Sequence, residues 1–308
     1  MKQKNKCIIF GGGGFIGSHL VKKLIILNYP TTVISLGKAQ NNNNLKDNLN
    51  KIEYLEGDIK DDKLLSKIIT PDSYVFDLAT SSVPSTSAVE ALNEIQSHIR
   101  LIEICCKKKV KKIIFTSSGG GVYGNKKKMP ISELNHLQPA SPHAIGKSTI
   151  EYFLDYHCNQ NKIPYVIYRI SNPYGPGQTP KVGFGLIPTL FANVLSNTPP
   201  NLYDQGKAVR DFIYIDDLVD AITISFAKKN KYNVYNTGSG TGTKIIDIWS
   251  EIKKITSSNL EPNFLPKRAF DVKKSILDIS RFSKEYKWKP KINLSNGLKS
   301  TWNWIKSK

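Results

Sequence analysis

The stretch Cys7-Ile8-Ile9-Phe10-Gly11-Gly12-Gly13-Gly14-Phe15-Ile16-Gly17-Ser18-His19-Leu20 restricts the fold of this chain more than any other. Its apolar opening reads as a buried strand, and the consecutive glycines then permit a turn that residues with a Cβ would resist. Beyond Gly17 the spacing changes, and Leu20, Val21, Leu24, Ile25 and Leu27 fall on one side of a helix. Strand, glycine turn and helix together aim a helix N-terminus and free backbone N–H groups at one spot, where dipole and donors favour an anion such as a pyrophosphate. Glycines at 11, 14 and 17 let the chain turn, let a phosphate approach the backbone and let the helix pack on the strand. A merely flexible glycine turn is the alternative.

The pattern then alternates. Strands are expected at 32–36, 52–59, 74–79, 112–115 and 163–170, and helices at 63–69, 88–108 and 143–159. Ser141 is placed to cap the last of these, with Pro142 at its first position and Ile150, Phe153 and Leu154 on its apolar side. Such alternation implies an α/β fold, a doubly wound parallel sheet with helices on both faces. Ligands in open sheets of this kind sit beyond the carboxyl ends of the strands. The hydroxyl-rich loop 80–87 and the run Thr116–Gly124 occupy such ends, whereas Lys126–Gln138 reads as a surface loop. After 170 the alternation breaks down into short elements. Asp216 and Asp217 are read as helix caps, Tyr174 as packing, and the last helix is expected around 297–305. Residues 1–170 with about 212–237 are assigned to the sheet domain, and 171–211 with 238–308 to a smaller α+β unit.

Two positions bear on cofactor choice. Gly37-Lys38 stands where an acidic residue often binds ribose hydroxyls, and a lysine would not repel a 2′-phosphate, so NAD and NADP both stay open. Asp58 either accepts from an adenine amino group or forms a turn.

The net charge of +19 raises the question of a polyanion partner. The lysines are scattered, with short clusters at 107–112 and 126–128 and no interleaved aromatics, which reads as a solvated basic surface with no nucleic-acid partner. No apolar run reaches the ~18–20 residues of a membrane span, so no membrane insertion is expected. Met-Lys-Gln-Lys-Asn-Lys runs straight into the first strand and leaves no room for a signal peptide. Cys7, Cys105, Cys106 and Cys158 have neither zinc-ligand nor redox spacing; no metal site and a reducing, cytoplasmic location are expected.

Taken in order, Gly11–Gly17, Gly57-Asp58-Ile59, Ser117–Gly124, Arg169–Gln178, Arg210–Asp217, Arg268-Ala269-Phe270-Asp271 and Trp288-Lys289-Pro290 resemble, over nearly the full length, the extended short-chain dehydrogenase/reductases of the NAD-dependent nucleotide-sugar epimerase/dehydratase family. The similarity is greatest to the UDP-glucose (UDP-galactose) 4-epimerase group of bacterial surface-polysaccharide pathways. The resemblance implies a Rossmann domain holding NAD through Gly11, Gly14, Phe15, Ile16, Gly17, Asp58, Ile59, Ala79 and Lys147. It also implies a smaller domain clamping a UDP-sugar, and a homodimer formed through the helices at 88–108 and 143–159. In the family a serine or threonine and a Tyr-x-x-x-Lys pair do the chemistry. The tyrosine takes the proton of the sugar 4-hydroxyl as hydride passes to the nicotinamide; the 4-keto sugar rotates, and hydride returns to its other face. The lysine binds the nicotinamide ribose and keeps the phenol acidic. Ser118 matches the catalytic serine, with Ser117 second, and Lys147 matches the lysine. Asn172, Arg210 and Arg268 match substrate-binding positions, where guanidinium forks suit phosphate oxygens. For the arginines the alternative is an ion pair with Asp211 or Asp271.

The tyrosine position holds His143. His143 and Lys147 are four apart and share a helix face. The first-turn dipole and the lysine both disfavour imidazolium, so a neutral ring able to accept a proton is expected. Imidazole reaches less far than phenol, and a water could bridge the gap. His143 is read as a replacement base; the other readings are a weakly active or inactive member that still binds its ligands, and a related reaction with another proton donor. Gly119-Gly120 after Ser118 cannot move a proton, which argues against dehydration and decarboxylation. C4 epimerisation of a UDP-sugar leads, and an NADP-dependent 4-keto-sugar reductase is the enzymatic rival.

Overall fold

The computed structural model describes residues 4–180, 185–268 and 271–308. Ala269-Phe270 of the Arg268–Asp271 motif lie outside the described residues. The first part of the chain runs β1 (Cys7–Phe10), α1 (Phe15–Ile26), β2 (Thr31–Ser35), β3 (Glu53–Glu56), α2 (Asp62–Ile68), β4 (Tyr74–Asp77), α3 (Ala88–Lys107), β5 (Lys112–Ser118), α4 (Pro142–Asn161) and β6 (Tyr165–Ile170). It continues with β7 (Asn172–Tyr174), α5 (Leu186–Leu195), β8 (Asn201–Tyr203), β9 (Val209–Tyr214), α6 (Ile215–Ser225), β10 (Val234–Thr237), β11 (Gly242–Lys244), α7 (Ile245–Thr256), β12 (Asn263–Leu265), β13 (Lys274–Ser275), α8 (Ser280–Tyr286) and α9 (Leu294–Lys306).

Among the described residues, seven parallel strands pair in the order β10-β6-β5-β4-β1-β2-β3. Alternate side chains feed two cores. Cys7, Ile9, Val33, Phe76, Ile114 and Val166 meet Leu20, Val21 and Leu24 of α1 and Leu218 and Ile222 of α6 on one face. Ile8, Phe10, Ile34, Val75, Ile113, Phe115 and Ile167 meet α2, α3 and α4 on the other. Burial on both faces explains why these strands read as continuous apolar runs. This is the Rossmann architecture the sequence implies. The order reverses between β1 and β4, which opens a crevice at their carboxyl ends.

The second layer of the site is a smaller sheet in which β11, β13 and β7 all pair with β9. The chain re-enters the large sheet after it: α6 packs on α1, with Lys23 Nζ 2.6 Å from Asp220 Oδ1, before β10 adds to β6. A buried ionic knot locks this arrangement. Arg169 of β6 grips Glu151 of α4 through Nε and Nη2, the latter at 2.6 Å, and donates to Tyr123 Oη at 2.9 Å. Tyr123 in turn donates to Asn236 Oδ1 of β10.

Three local expectations change. Phe153 of α4 is 38% exposed while Ile150 and Leu154 are buried, because it projects from the flank of the helix away from the sheet. The 126–138 segment is not wholly superficial: Ile131 is fully buried, bridges Leu277 and closes a third small core. Asp216 and Asp217 do not cap α6. Asp217 accepts from the Lys291 and Ile292 N–H groups, pinning the chain ahead of α9, and Asp216 faces His19 at 3.3 Å. Among the described residues no helix is long and apolar enough to cross a membrane.

Candidate active site

Gly11 lies at φ +75°, and a Cβ there would meet Ala79 N and Leu78 C at 2.9 Å. A Cβ on Gly17 would overlap the Gly11 carbonyl oxygen. Both positions therefore require glycine. Gly14 is the N-cap of α1 and has no side chain to accept from the first turn, so the N–H groups at Phe15, Ile16 and Gly17 are left for an external acceptor. This cradle, at the point of strand reversal, fits a dinucleotide pyrophosphate. Ile16 lines the adjoining cavity and Ala79 closes the turn from β4. Ile59 packs into the core under α2, and Asp58 Oδ1 accepts from Lys60 N at 3.1 Å in a turn. At the end of β2 the residue facing the glycine turn is Ser35, with Asn42 donating to Gly13 O; Gly37, at φ +81°, turns away into open space.

Beyond the cradle a cavity of about 370 Å³ reaches from Ile16 to the smaller sheet. Ser117 and Ser118 reach it from the end of β5, and His143 and Lys147 from the first two turns of α4. Ser141 Oγ caps α4 by accepting from Ala144 N, with Pro142 at its first position, which fixes where His143 enters. Gly121 sits against Ala144 with almost no room for a Cβ, so the loop after β5 presses onto the helix carrying both side chains.

The electrostatics favour neutral His143. Burial, reinforced by Lys147 and opposed by Glu94, pushes its imidazole down to about 4. Desolvation, which the sequence does not display, outweighs the lysine that it does. Lys147 is also lowered by burial, against the pull of Glu94, Asp77 and Glu151, and its Nζ lies 4.9 Å from the centre of the Phe115 ring. Ser82 Oγ lies 2.7 Å from His143 Nδ1. Glu94 Oε1 accepts from Thr80 and Ser82 hydroxyls, and Oε2 from Ser81 and Ser82 N–H groups and the Ser81 hydroxyl, at 2.8–3.0 Å. Burial would raise this carboxyl, but Lys147 and those donors hold it at about 2. Nothing in the sequence pattern singled out Ser82 or Glu94. A carboxylate twelve residues beyond the loop it fastens has no short-range signature.

The far wall carries cations. Arg210 and Arg268 line the cavity with Asn172. Burial lowers Arg210, and its Nη1 donates to its own strand at Val209 O. The ion pair with Asp211 does not form. Neighbouring strand residues point to opposite faces, and Asp211 is spent on Ser239, Gly240 and Leu277. Arg268 does pair with Asp271, as a two-bond fork at 2.9 Å, while its guanidinium lies 4.2 Å from the Tyr203 ring centre. Asn172 Nδ2 donates to Asp211 O at 2.8 Å. The structure thus brings Ser118, His143, Lys147, Asn172, Arg210 and Arg268 around one cavity and leaves Asp58 and Ile59 outside its lining.

Residues 7–238 match the model of the NAD dependent epimerase/dehydratase family. The chain belongs to this family. UDP-glucose 4-epimerase of Thermotoga maritima, solved with UDP-glucose, is 34% identical, with a TM-score of 0.90 over 98% of this chain and 99% of that one. UDP-N-acetylglucosamine 4-epimerase of Methanobrevibacter ruminantium, solved with UDP-N-acetylmuramic acid, is 33% identical, with a TM-score of 0.88 over 100% and 99%. UDP-glucuronic acid 4-epimerase of Bacillus cereus, solved with UDP-glucuronic acid and NAD, is 28% identical, with a TM-score of 0.87 over 98% and 99%. The glycine cradle accords with an NAD dependent family, and the three relatives named here are epimerases of UDP-sugars.

Proposed function

We propose that the chain interconverts C4 epimers of a UDP-sugar of the UDP-glucose/UDP-galactose type, through transient oxidation to a 4-keto sugar, for surface-polysaccharide precursors made in the cytoplasm. The observation that carries this reading is the convergence of Ser118, His143 and Lys147 on one cavity between the glycine cradle and the arginine-bearing wall. Bound NAD would supply the hydride acceptor and donor. The residues of the chain do the rest. Gly11, Gly14, Phe15, Ile16 and Gly17 present backbone to the pyrophosphate. Lys147 would hold the ribose of that group, and its charge adds to the burial that keeps His143 neutral. Ser118 hydrogen-bonds the sugar 4-oxygen, and His143 Nε2 accepts its proton. Arg210 and Arg268 hold the diphosphate, with Asn172 beside it, so that the sugar can turn over without leaving. Exposed Val89 and Leu92 on α3, and Ile145, Tyr152 and Tyr156 on α4, form the apolar face that a second copy would cover in a homodimer.

The test is product analysis without added cofactor. Purified protein incubated with UDP-glucose should yield UDP-galactose by chromatography and mass spectrometry, and acid treatment should release NAD. The second reading, a 4-keto-sugar reductase, rests on Ser35 and Gly37-Lys38 providing no carboxylate near the ribose. Stoichiometric NADPH consumption with no epimer formed would replace the first reading by this one.

A further inference from the structure

We propose that Ser82 and Glu94 are positioning residues for His143. Glu94 accepts the Ser82 hydroxyl proton, Ser82 Oγ accepts the His143 Nδ1–H, and Nε2 is thereby left as a lone pair facing the cavity. The inference rests on the reading of His143 as the base.

The argument is a proton count. Ser82 Oγ lies 3.0 Å from Glu94 Oε1 and 2.7 Å from His143 Nδ1, and a hydroxyl has one proton to give. An ionised carboxylate only accepts. Were the hydroxyl proton aimed at the imidazole, two lone-pair-bearing oxygens would face each other at hydrogen-bond distance inside the protein. Aimed at Glu94, it satisfies the carboxylate and obliges the ring to donate from Nδ1. Thr80, Ser81 and the Ser82 N–H also donate to Glu94, which fixes it as an acceptor. All three members are less than a tenth exposed, so bulk water does not scramble the network. His143 Nε2 has no hydrogen bond among the described residues and is not one of the enclosed unpartnered atoms, which leaves it open to the cavity His143 lines.

In the reaction the substrate O–H bond breaks and an Nε2–H bond forms; no other proton moves. The imidazolium then has the Glu94 charge one hydroxyl away, while Lys147 opposes it from the same helix. Behind Glu94, His98 presents Nε2 at 3.9 Å and holds Asp77 Oδ2 through Nδ1 at 2.6 Å. Glu151 completes the charged groups by acting on Lys147.

The experiment combines imidazole ¹⁵N NMR of the protein as purified with steady-state kinetics of Ser82→Ala, Ser82→Thr, Glu94→Gln and His143→Asn. Wild type should show His143 protonated at Nδ1 and bare at Nε2 at pH 7. Ser82→Ala should lose that preference and lower kcat about 10²-fold with KM little changed, and Ser82→Thr should restore both. Glu94→Gln should move the acid limb of the kcat profile. Nε2–H in wild type, or Ser82→Ala with the wild-type tautomer and kcat, overturns the proposal. An unmoved profile in Glu94→Gln overturns the part given to Glu94. If instead His143→Asn turns over normally, the base reading itself fails, and the spectrum alone then decides the hydrogen-bond direction.

Discussion

Replacing His143 with asparagine removes a titratable ring while keeping an N–H able to donate to Ser82 Oγ. In the folded chain burial and Lys147 bring this imidazole to about 4, against 6.5 when free. Between those values the unfolded chain binds a proton that the native site refuses, so stability rises with pH across the window. The contribution is complete above the unfolded value and is lost as pH falls through 6.5 toward 4. Integrated over that shift it amounts to about 3 kcal/mol between pH 8 and pH 4. Urea unfolding of wild type and His143→Asn, from pH 8 down to 4, measures it. Glu94 is lowered to about 2 and also weakens the fold in acid, but both proteins retain it and it cancels in the comparison. The wild-type curve should fall more steeply by that amount, with the gap opening below pH 6.5. Parallel curves would refute the desolvation argument, and with it the claim that the site holds a neutral base. In wild type the same physics places the acid limb of kcat/KM near pH 4.

Gly17→Ala forces a Cβ into the Gly11 carbonyl; the overpacking costs about 1–3 kcal/mol and should release bound dinucleotide, read by mass spectrometry of the purified protein. Arg210→Ala removes a guanidinium from the cavity wall and should weaken UDP-sugar binding about 10–100-fold, by calorimetry, with dinucleotide content unchanged. Arg169→Met strands the buried Glu151 carboxylate and should cost about 3–5 kcal/mol, seen as a lower urea midpoint. The paired change Arg169→Met with Glu151→Gln should recover part of that loss.

The glycine cradle, the alternating elements and the cap of α4 were legible because each depends on neighbours within a few residues. Gly11, Gly17, Ser141 and Pro142 announce their geometry through backbone demands that no other residue type meets as well. Ser118, His143 and Lys147 were legible through spacing and family pattern. The support behind them was not. Glu94 fastens residues 80–82 across a loop, and Ile131 finds Leu277 far along the chain. Such contacts are created by tertiary closure and leave no local period. The caps expected at Asp216 and Asp217 give way for the same reason. Asp217 looks like a cap from sequence, and only the approach of residues 291–292 shows what its oxygens accept.

The route of the chain through its two sheets has a consequence for how this protein can be divided. A fragment ending after β6 would contain the whole cradle, yet it would lack α6, which covers α1, and β10, which completes the sheet edge beside β6. Leu20, Val21 and Leu24 would lose the part of their apolar cover that α6 supplies, and an unpaired strand would invite aggregation. The cradle is therefore not a separable cassette. Splitting the gene at the apparent midpoint would part α1 from α6 and β6 from β10, and each half would expose an apolar face that the other now covers.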